Sequence, residues 1–250
     1  MNKLILIAVA ASLALSIPSC KKIEAYNPPT PKNSAPTTSE PDDATIFLKA
    51  VRFFTSQAGS AGQTNEYQIG DAFAFFRDTL GAKKSAGEVT INTLVLTNES
   101  SNYVYKTIDN LPNGILFDTD NASWIITGDT NTGIQPMTIS DNTPFPAKPV
   151  ITEKEINTQA SYLLVAKDTI IADSTIFVLT GPSGTLRKVR GPNARSVAFT
   201  KEEMSTLGTG RALGLVQISA LNLVLDTLLV PNTKTYYMKQ TIASKYVDLE

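Results

Sequence analysis

Short runs of alternating or β-branched apolar residues recur along most of the chain, and polar turn signals separate them. Runs of this kind, bounded by turns, predict β-strands. In the first half of the chain they cover residues 46–54, 72–77, 89–96, 103–108, 115–117, 124–127 and 134–139. No long segment has helical periodicity, so this set of strands favours a β-sandwich.

A proline-rich stretch over residues 141–149 interrupts the pattern. Because proline cannot donate a hydrogen bond to a ladder, we place a domain boundary here. The pattern resumes over residues 150–152, 162–166, 175–180, 186–189, 196–199, 213–220 and 235–242, and an apolar run over 223–230 extends or pairs with its neighbour. The sequence therefore predicts an all-β fold, with β-sandwich domains over residues 44–148 and 149–250.

One short helix is signalled within the second domain. Thr200 and Glu203 have the spacing of a capping box, Met204 and Leu207 supply an apolar face, and Gly208 ends the segment. The order of a strand, a short helix and a long strand resembles the crossover of bacterial immunoglobulin-like domains. That resemblance implies two immunoglobulin-like sandwiches and carries no functional residues with it.

The first 22 residues have the features of an export signal. Lys3 supplies a positive start, residues 4–15 are almost entirely apolar, and small residues lead to Cys20, the single cysteine. The apolar run is shorter than the roughly 20 residues that span a bilayer. An ordinary cleaved signal with an incidental cysteine and an uncleaved anchor helix are the alternatives.

Residues 1–22 resemble the signal of a bacterial lipoprotein, and Ile-Pro-Ser-Cys at positions 17–20 resembles a lipobox. The resemblance, to cell-envelope lipoproteins of the Bacteroidota, implies removal of residues 1–19 and lipidation of Cys20 on its sulfur and its new amino group. Two or three acyl chains hold a protein stably on a membrane, whereas one does not. We therefore expect a lipid anchor in the outer membrane.

Residues 20–43 form the predicted tether. Five prolines stand there among Ser, Thr, Asn and Lys, and few apolar residues are available to bury. An extended chain of this length reaches roughly 70 Å at about 3.1 Å per residue. Surface-exported lipoproteins of the resembled group carry acidic residues directly after the cysteine, whereas Lys21 and Lys22 stand here, so the periplasmic face is favoured over the cell surface.

Composition excludes several classes of function. The net charge is −1, whereas nucleic-acid binding needs a strong basic excess. The chain has no histidine, which removes the commonest general base, the usual catalytic triad and zinc sites of the Cys/His type. We therefore expect no nucleic-acid partner and no enzyme.

Two acidic turns flank the predicted strand that contains Trp124. They contribute Asp118, Asp120, Asp129 and Asn131, whose oxygen atoms are of the kind that Ca²⁺ prefers. Their spacing is not that of an EF-hand, and Asp and Asn also form turns for structural reasons alone. A calcium site and simple turn formation are both open at this point.

Sugar hydrolysis needs only two carboxylic acids at a suitable separation and no histidine. Acidic residues available for such a pair in the first domain are Asp71, Asp78, Glu88, Asp118 and Asp120. Nothing in their spacing selects two of them. A histidine-free glycosidase is therefore an alternative and not the preferred interpretation.

Adjacent aromatic residues occur at Phe75 and Phe76 and again at Tyr236 and Tyr237. Neighbouring residues in a strand point to opposite faces of the sheet. One member of each pair is therefore expected to point away from the core or into the interface between the two domains. On an exposed face, a flat ring can stack on a sugar. These four residues are the predicted ligand-binding positions.

Two further patterns concern the surface. A basic stretch favours either an anionic partner or a solvated face that keeps an edge strand from pairing. It consists of Arg187, Lys188, Arg190, Arg195, Lys201 and Arg211. Four hydroxyl residues follow an aspartate and precede an apolar residue or threonine, a pattern that resembles the O-glycosylation acceptor of exported Bacteroidota proteins. They are Thr79, Thr169, Ser174 and Thr227.

The sequence therefore predicts a lipid-anchored cell-envelope protein that acts as a non-catalytic binding or scaffolding module. Its expected partner is a glycan or another envelope protein. The alternatives are a structural or assembly accessory of the periplasm, and a histidine-free glycosidase or calcium-dependent binder.

Overall fold

Most of the described chain is β-structure, which confirms the predicted all-β class. The computed structural model describes residues 40–58, 64–106, 113–117, 119–227 and 233–250. The strands are β1 (Ile46–Ala58), β2 (Thr64–Arg77), β3 (Lys83–Lys84), β4 (Val89–Ile91), β5 (Leu94–Val95), β6 (Thr97–Glu99), β7 (Asn102–Val104), β8 (Ala122–Ile126), β9 (Met137–Asp141), β10 (Glu155–Ile156), β11 (Tyr162–Val165), β12 (Ser174–Thr180), β13 (Thr185–Arg190), β14 (Ser196–Phe199), β15 (Gly210–Asp226) and β16 (Thr235–Leu249). One helix, α1 (Lys201–Ser205), lies between β14 and β15.

A ten-stranded main sheet runs through both predicted domains. Its order is β13-β12-β15-β16-β1-β2-β7-β6, with β10 paired to β16 and β3 paired to β2. β1 pairs with β16 in parallel, whereas β15 pairs with β16 and β1 with β2 in antiparallel register. Strands from residues 44–148 and from residues 149–250 therefore hydrogen bond in one continuous sheet, which the two predicted domains share.

Both faces of the main sheet are largely apolar, because its central strands contribute buried hydrophobic side chains to each face. In β1, Ile46 and Leu48 point to one face, here called the inner face, and Phe47 points to the other, the outer face. In β16, Tyr237 lies on the inner face and Met238 on the outer face. A strand that is buried on both sides reads as a nearly continuous apolar run.

Two smaller layers cover the inner face, and each belongs to one of the predicted domains. The four-stranded sheet β5-β4-β8-β9 packs over β1 and β2 around Trp124. The β11-β14 pair and α1 pack over β12 and β15 around Phe177 and Phe199. The predicted boundary at residues 141–149 thus lies between two core clusters that share one sheet.

The helix α1 is capped as its sequence predicts. The Thr200 hydroxyl accepts from the Glu203 N–H at 3.2 Å, and the Glu203 carboxylate accepts from the Thr200 N–H at 2.8 Å. The same carboxylate pairs with Lys188 at 2.7 Å. These contacts fix the start of a helix that buries Met204 in the second core cluster.

Replacing Thr200 by alanine should therefore lower the free energy of unfolding by about 1 kcal/mol, the usual cost of losing a side-chain cap. Urea denaturation followed by the fluorescence of Trp124, the single tryptophan, measures this. Ser205→Ala is the control, because the Ser205 hydroxyl bonds only the Glu202 carbonyl at the far end of the helix. Equal stability of the two variants would contradict the capping role.

Candidate functional site

The main sheet has an open edge beside the C-terminal end of β15. β12 pairs with β15 from Leu215 to Leu221, but β15 continues to Asp226. Over residues 222–226 its strand partner within the described chain is β16 alone. The fold therefore leaves a short length of strand backbone exposed on one side.

Asp173 ends the pairing between β12 and β15. Its N–H donates to the Leu221 carbonyl at 3.0 Å, and its Oδ2 accepts from the Leu223 N–H at 2.8 Å. Alternate residues of a strand direct their backbone groups to the same edge. The Leu225 N–H and C=O therefore point to the open edge, beyond the reach of Asp173.

A groove with a volume of about 440 Å³ lies next to this edge. Ile171 and Val224 give it apolar walls, and these side chains are 74% and 37% exposed. Leu225, 48% exposed, follows on the outer face of the sheet. The remaining lining residues are Thr143, Pro144, Ala172, Asp173, Pro192, Asn193 and Asn222.

A buried lysine holds one wall of the groove. Lys239 in β16 is 1% exposed, and its ammonium group donates to the carbonyls of Asp120, Asp141 and Thr143. It also lies 3.4 Å from the Asp141 carboxylate. Burial lowers the pKa of Lys239, and the Asp141 carboxylate opposes that shift. The loop at Thr143 and Pro144 is thus fixed to the centre of the main sheet.

The other lining residues of the groove are held by contacts between residues that are closer to one another in the sequence. Ile170 and Ala172 are buried in the second core cluster, and the Ile170 N–H donates to the Ala194 carbonyl at 2.9 Å. Asn193 adopts a left-handed backbone conformation with φ of 57° at the turn after β13. Asn222 closes the floor, because its side-chain amide donates to the Pro144 carbonyl at 3.3 Å. The groove is therefore preformed.

The groove offers hydrogen bonds and apolar contacts. Asp173 is the single carboxylate among its lining residues, so it does not contain the pair of acids that glycoside hydrolysis needs. No aromatic side chain is among the lining residues. This arrangement suits the binding of a polar backbone with apolar side chains.

The predicted aromatic positions lie elsewhere, and three of the four are buried. Phe75 and Phe76 are both 0% exposed, one in the outer-face cluster and one in the inner core. Tyr237 is 7% exposed, and the Tyr236 hydroxyl donates to Asp43 at 3.0 Å. The members of each pair lie on opposite faces of the sheet, as expected, but Phe75 is packed on the outer face and Tyr236 is half-buried there. Ligand binding at these four positions stays a prediction.

The predicted calcium ligands have structural partners. Asp120 pairs with Arg52 at 3.3 Å and accepts from the Phe145 N–H at 3.2 Å. Asp129 accepts from the Asn131 N–H at 2.9 Å, which is the hydrogen bond of an Asx turn. Asp118 lies outside the described residues. Over the ranges that the structure describes, no three His, Cys, Asp or Glu side chains gather around a common point.

The hydroxyls predicted as glycosylation sites differ in access. Thr79, Thr169 and Thr227 are exposed, whereas Ser174 is 3% exposed at the start of β12. Ser174 therefore cannot serve as an acceptor in the folded chain, and modification of the three threonines stays a prediction. Cys20, with the signal and the tether, lies outside the described residues.

The carboxylates considered for catalysis are not collected in the groove. Asp78 caps the turn after β2, where it accepts from the N–H groups of Leu80 and Ala82 at 2.9 Å. Glu88 precedes β4, and its backbone bonds Thr127, directly after β8. Neither these two residues nor Asp71 lines the groove beside β15.

Sequence reasoning missed Ile171, Val224 and Leu225. The run Leu-Val-Leu at positions 223–225 was visible as an apolar segment, but its edge position depends on where β12 ends. That end is set by Asp173, whose side chain replaces a strand partner for Leu223.

Comparisons with known proteins give no relative for this chain: no family model matches it, and no curated protein or solved structure resembles it significantly. Within the described ranges, no helix has the length and apolar character needed to cross a membrane.

Proposed function

We propose that the chain is a lipid-anchored, non-catalytic binding or scaffolding module of a bacterial cell envelope, and that its partner is an envelope protein. The lipobox-like residues 17–20 support the anchor, and the proline-rich tether supports a folded part that stands away from the membrane. The observation that carries the binding role is the preformed groove beside the open edge of β15, with exposed apolar side chains around it.

A protein partner is favoured over a glycan by the lining of the groove. Sugar recognition by stacking uses flat aromatic rings, and three of the four aromatic residues that the sequence offered for that role are buried, while the half-buried Tyr236 bonds Asp43. The groove instead combines exposed Ile171 and Val224 with amide and backbone groups. An accessory role in envelope assembly is compatible with the same site.

The anchor is tested by comparing wild type with Cys20→Ala in membrane fractionation with a lipid label. We expect wild type to be labelled and membrane-bound and the variant to be unlabelled. Protease treatment of intact cells then separates a surface location from a periplasmic one. An unlabelled, soluble wild type would overturn the anchor.

The binding role is tested with a photo-crosslinking amino acid placed at Ile171 in intact cells. The matched control is the same amino acid at Leu80, which is 91% exposed and lies in a turn far from Ile171 in the sequence. We expect a single discrete protein adduct from position 171 that disappears in a Val224→Asp background. Equal crosslinking from both positions, or none from position 171, would contradict a binding role for the groove.

A further inference from the structure

The open edge of β15 presents the hydrogen-bonding groups that an added strand would satisfy. The Leu225 N–H and C=O point away from β16, and β12 has already left the sheet at Asp173. Unpaired backbone groups at a sheet edge are a template for an extended segment of another chain. The backbone geometry thus selects an extended ligand.

Between Asn222 and Leu225, this edge has no charged side chain, proline or bulge of its own. Natural edges carry charged side chains, proline or a bulge. The residues at positions 222–226 are Asn-Leu-Val-Leu-Asp, and the register of β15 against β16 is regular there. The outer edge of β13, by contrast, carries Arg187, Lys188 and Arg190. The contrast indicates that the β15 edge is kept open for pairing.

The surroundings of the edge fit a single extended chain better than a globular surface. The loop at Thr143 and Pro144 and the turn at Pro192 and Asn193 both line the groove. A segment between them would place alternate side chains against Val224 on the inner face and against Leu225 on the outer face. Apolar residues at alternate positions would therefore be buried.

The carboxylate of Asp173 determines which side chains suit the ends of such a segment. Asp173 lines the groove, and one of its carboxylate oxygens accepts from Leu223 while the other has no described partner. A lysine or arginine that flanks the apolar positions can pair with this carboxylate. The favoured ligand is therefore an extended, alternately apolar segment with a basic flank.

We propose that an envelope protein inserts such a segment beside residues 223–226 as an additional strand of the main sheet. The inference rests on the proposed binding role of the groove and specifies how the partner enters it. Main-chain hydrogen bonds to Leu225 provide affinity, and the contacts with Ile171 and Val224 provide selectivity.

The probe for this proposal is the synthetic peptide KTVTVTVK, added to the detergent-solubilised full-length protein. Amide hydrogen exchange is measured by residue-resolved NMR with and without the peptide. We expect the Leu225 amide to slow by about tenfold or more, because it gains a partner only in the complex. The Val224 amide is the internal control, because its backbone already faces β16 and should change by less than about twofold.

Ile171→Asp should weaken peptide binding at least about tenfold, whereas Leu80→Asp should leave it unchanged. Binding that depends on Ile171 without protection of Leu225 would retain the groove as a binding site and overturn strand addition. Absence of any binding by the peptide would overturn the proposed ligand chemistry while leaving the crosslinking test of the groove unaffected.

Two other occupants of the edge are distinguished by the same measurement. Protection of Leu225 that rises with protein concentration in the absence of peptide would assign the edge to a second copy of the chain. Protection in the dilute protein alone would assign it to another segment of the same chain. Either result would overturn the proposal of an envelope-protein strand.

Discussion

Replacing Lys239 by methionine should lower the free energy of unfolding by about 3–5 kcal/mol, the usual cost of removing one partner of a buried ion pair. The ammonium group serves three backbone carbonyls and lies beside the Asp141 carboxylate, all at the centre of the sheet. Methionine keeps much of the volume but donates nothing. The carbonyls and the carboxylate would then be buried with fewer partners.

Lys245→Met is the matched control for this change. Lys245 lies on the same strand and the same face as Lys239, and its ammonium group also donates to two carbonyls, those of Ile151 and Thr152, at 3.4 and 3.3 Å. It is only half-buried and pairs with no carboxylate among the described residues, so its replacement should cost about 1 kcal/mol or less. Urea denaturation followed by Trp124 fluorescence compares the two variants. The usual uncertainty of such unfolding free energies is about 1 kcal/mol. If the two variants lose amounts of unfolding free energy that differ by less than this, the special role of Lys239 is refuted.

The same substitution should also affect the groove. Lys239 holds the Thr143 carbonyl, and the adjacent Pro144 carbonyl accepts from Asn222 on the floor. Loss of the ammonium group removes the hydrogen bond to Thr143, which is one of the two contacts that hold this loop. We therefore expect weaker binding at the groove from Lys239→Met even under conditions where the protein stays folded.

Local sequence signals predicted many of the individual elements, although residues 115–117 and 150–152 are not strands. The alternating residues around Trp124 gave β8, and the pair Thr200 and Glu203 gave the capped helix. These features depend on residues that are close in sequence, so their physics can be evaluated from a short window. The all-β class follows from the same local evidence.

Long-range pairing could not be predicted in the same way. β1 and β16 are separated by nearly 190 residues in the sequence, and their parallel pairing joins the two halves of the chain into one sheet. Nothing in the sequence of either strand indicates which strand it pairs with. The burial of both Phe75 and Phe76 follows from this pairing, because a central strand with two packed faces has no solvent side.

The candidate site depended on two features that a pattern does not contain. Lys239 looks like a surface residue in the sequence, yet the carbonyls that surround it come from residues about 100 positions earlier. The open edge exists because Asp173 ends the pairing of β12 before β15 itself ends. Both features belong to the tertiary arrangement.

Gly70 in β2 allows the closest backbone approach within the first core cluster, and its replacement by alanine should be strongly destabilising. A Cβ at this position would lie 1.8 Å from the Ile115 carbonyl oxygen. The Gly70 N–H donates to the Asn113 carbonyl at 2.9 Å, and its carbonyl accepts from the Ile115 N–H at 3.0 Å. Ile115 and Phe117 follow this bridge directly into the core.

Gly70→Ala must therefore open the bridge, lose two backbone hydrogen bonds and shift the buried Ile115, for a combined cost of about 3–4 kcal/mol. Gly191→Ala is the control, because a Cβ there meets nothing within 4 Å and its backbone does not require glycine. Its stability should change by less than about 0.5 kcal/mol. Denaturation midpoints of the two variants, measured by Trp124 fluorescence, decide the matter: if they coincide, the contact between β2 and residues 113–117 does not stabilise the fold.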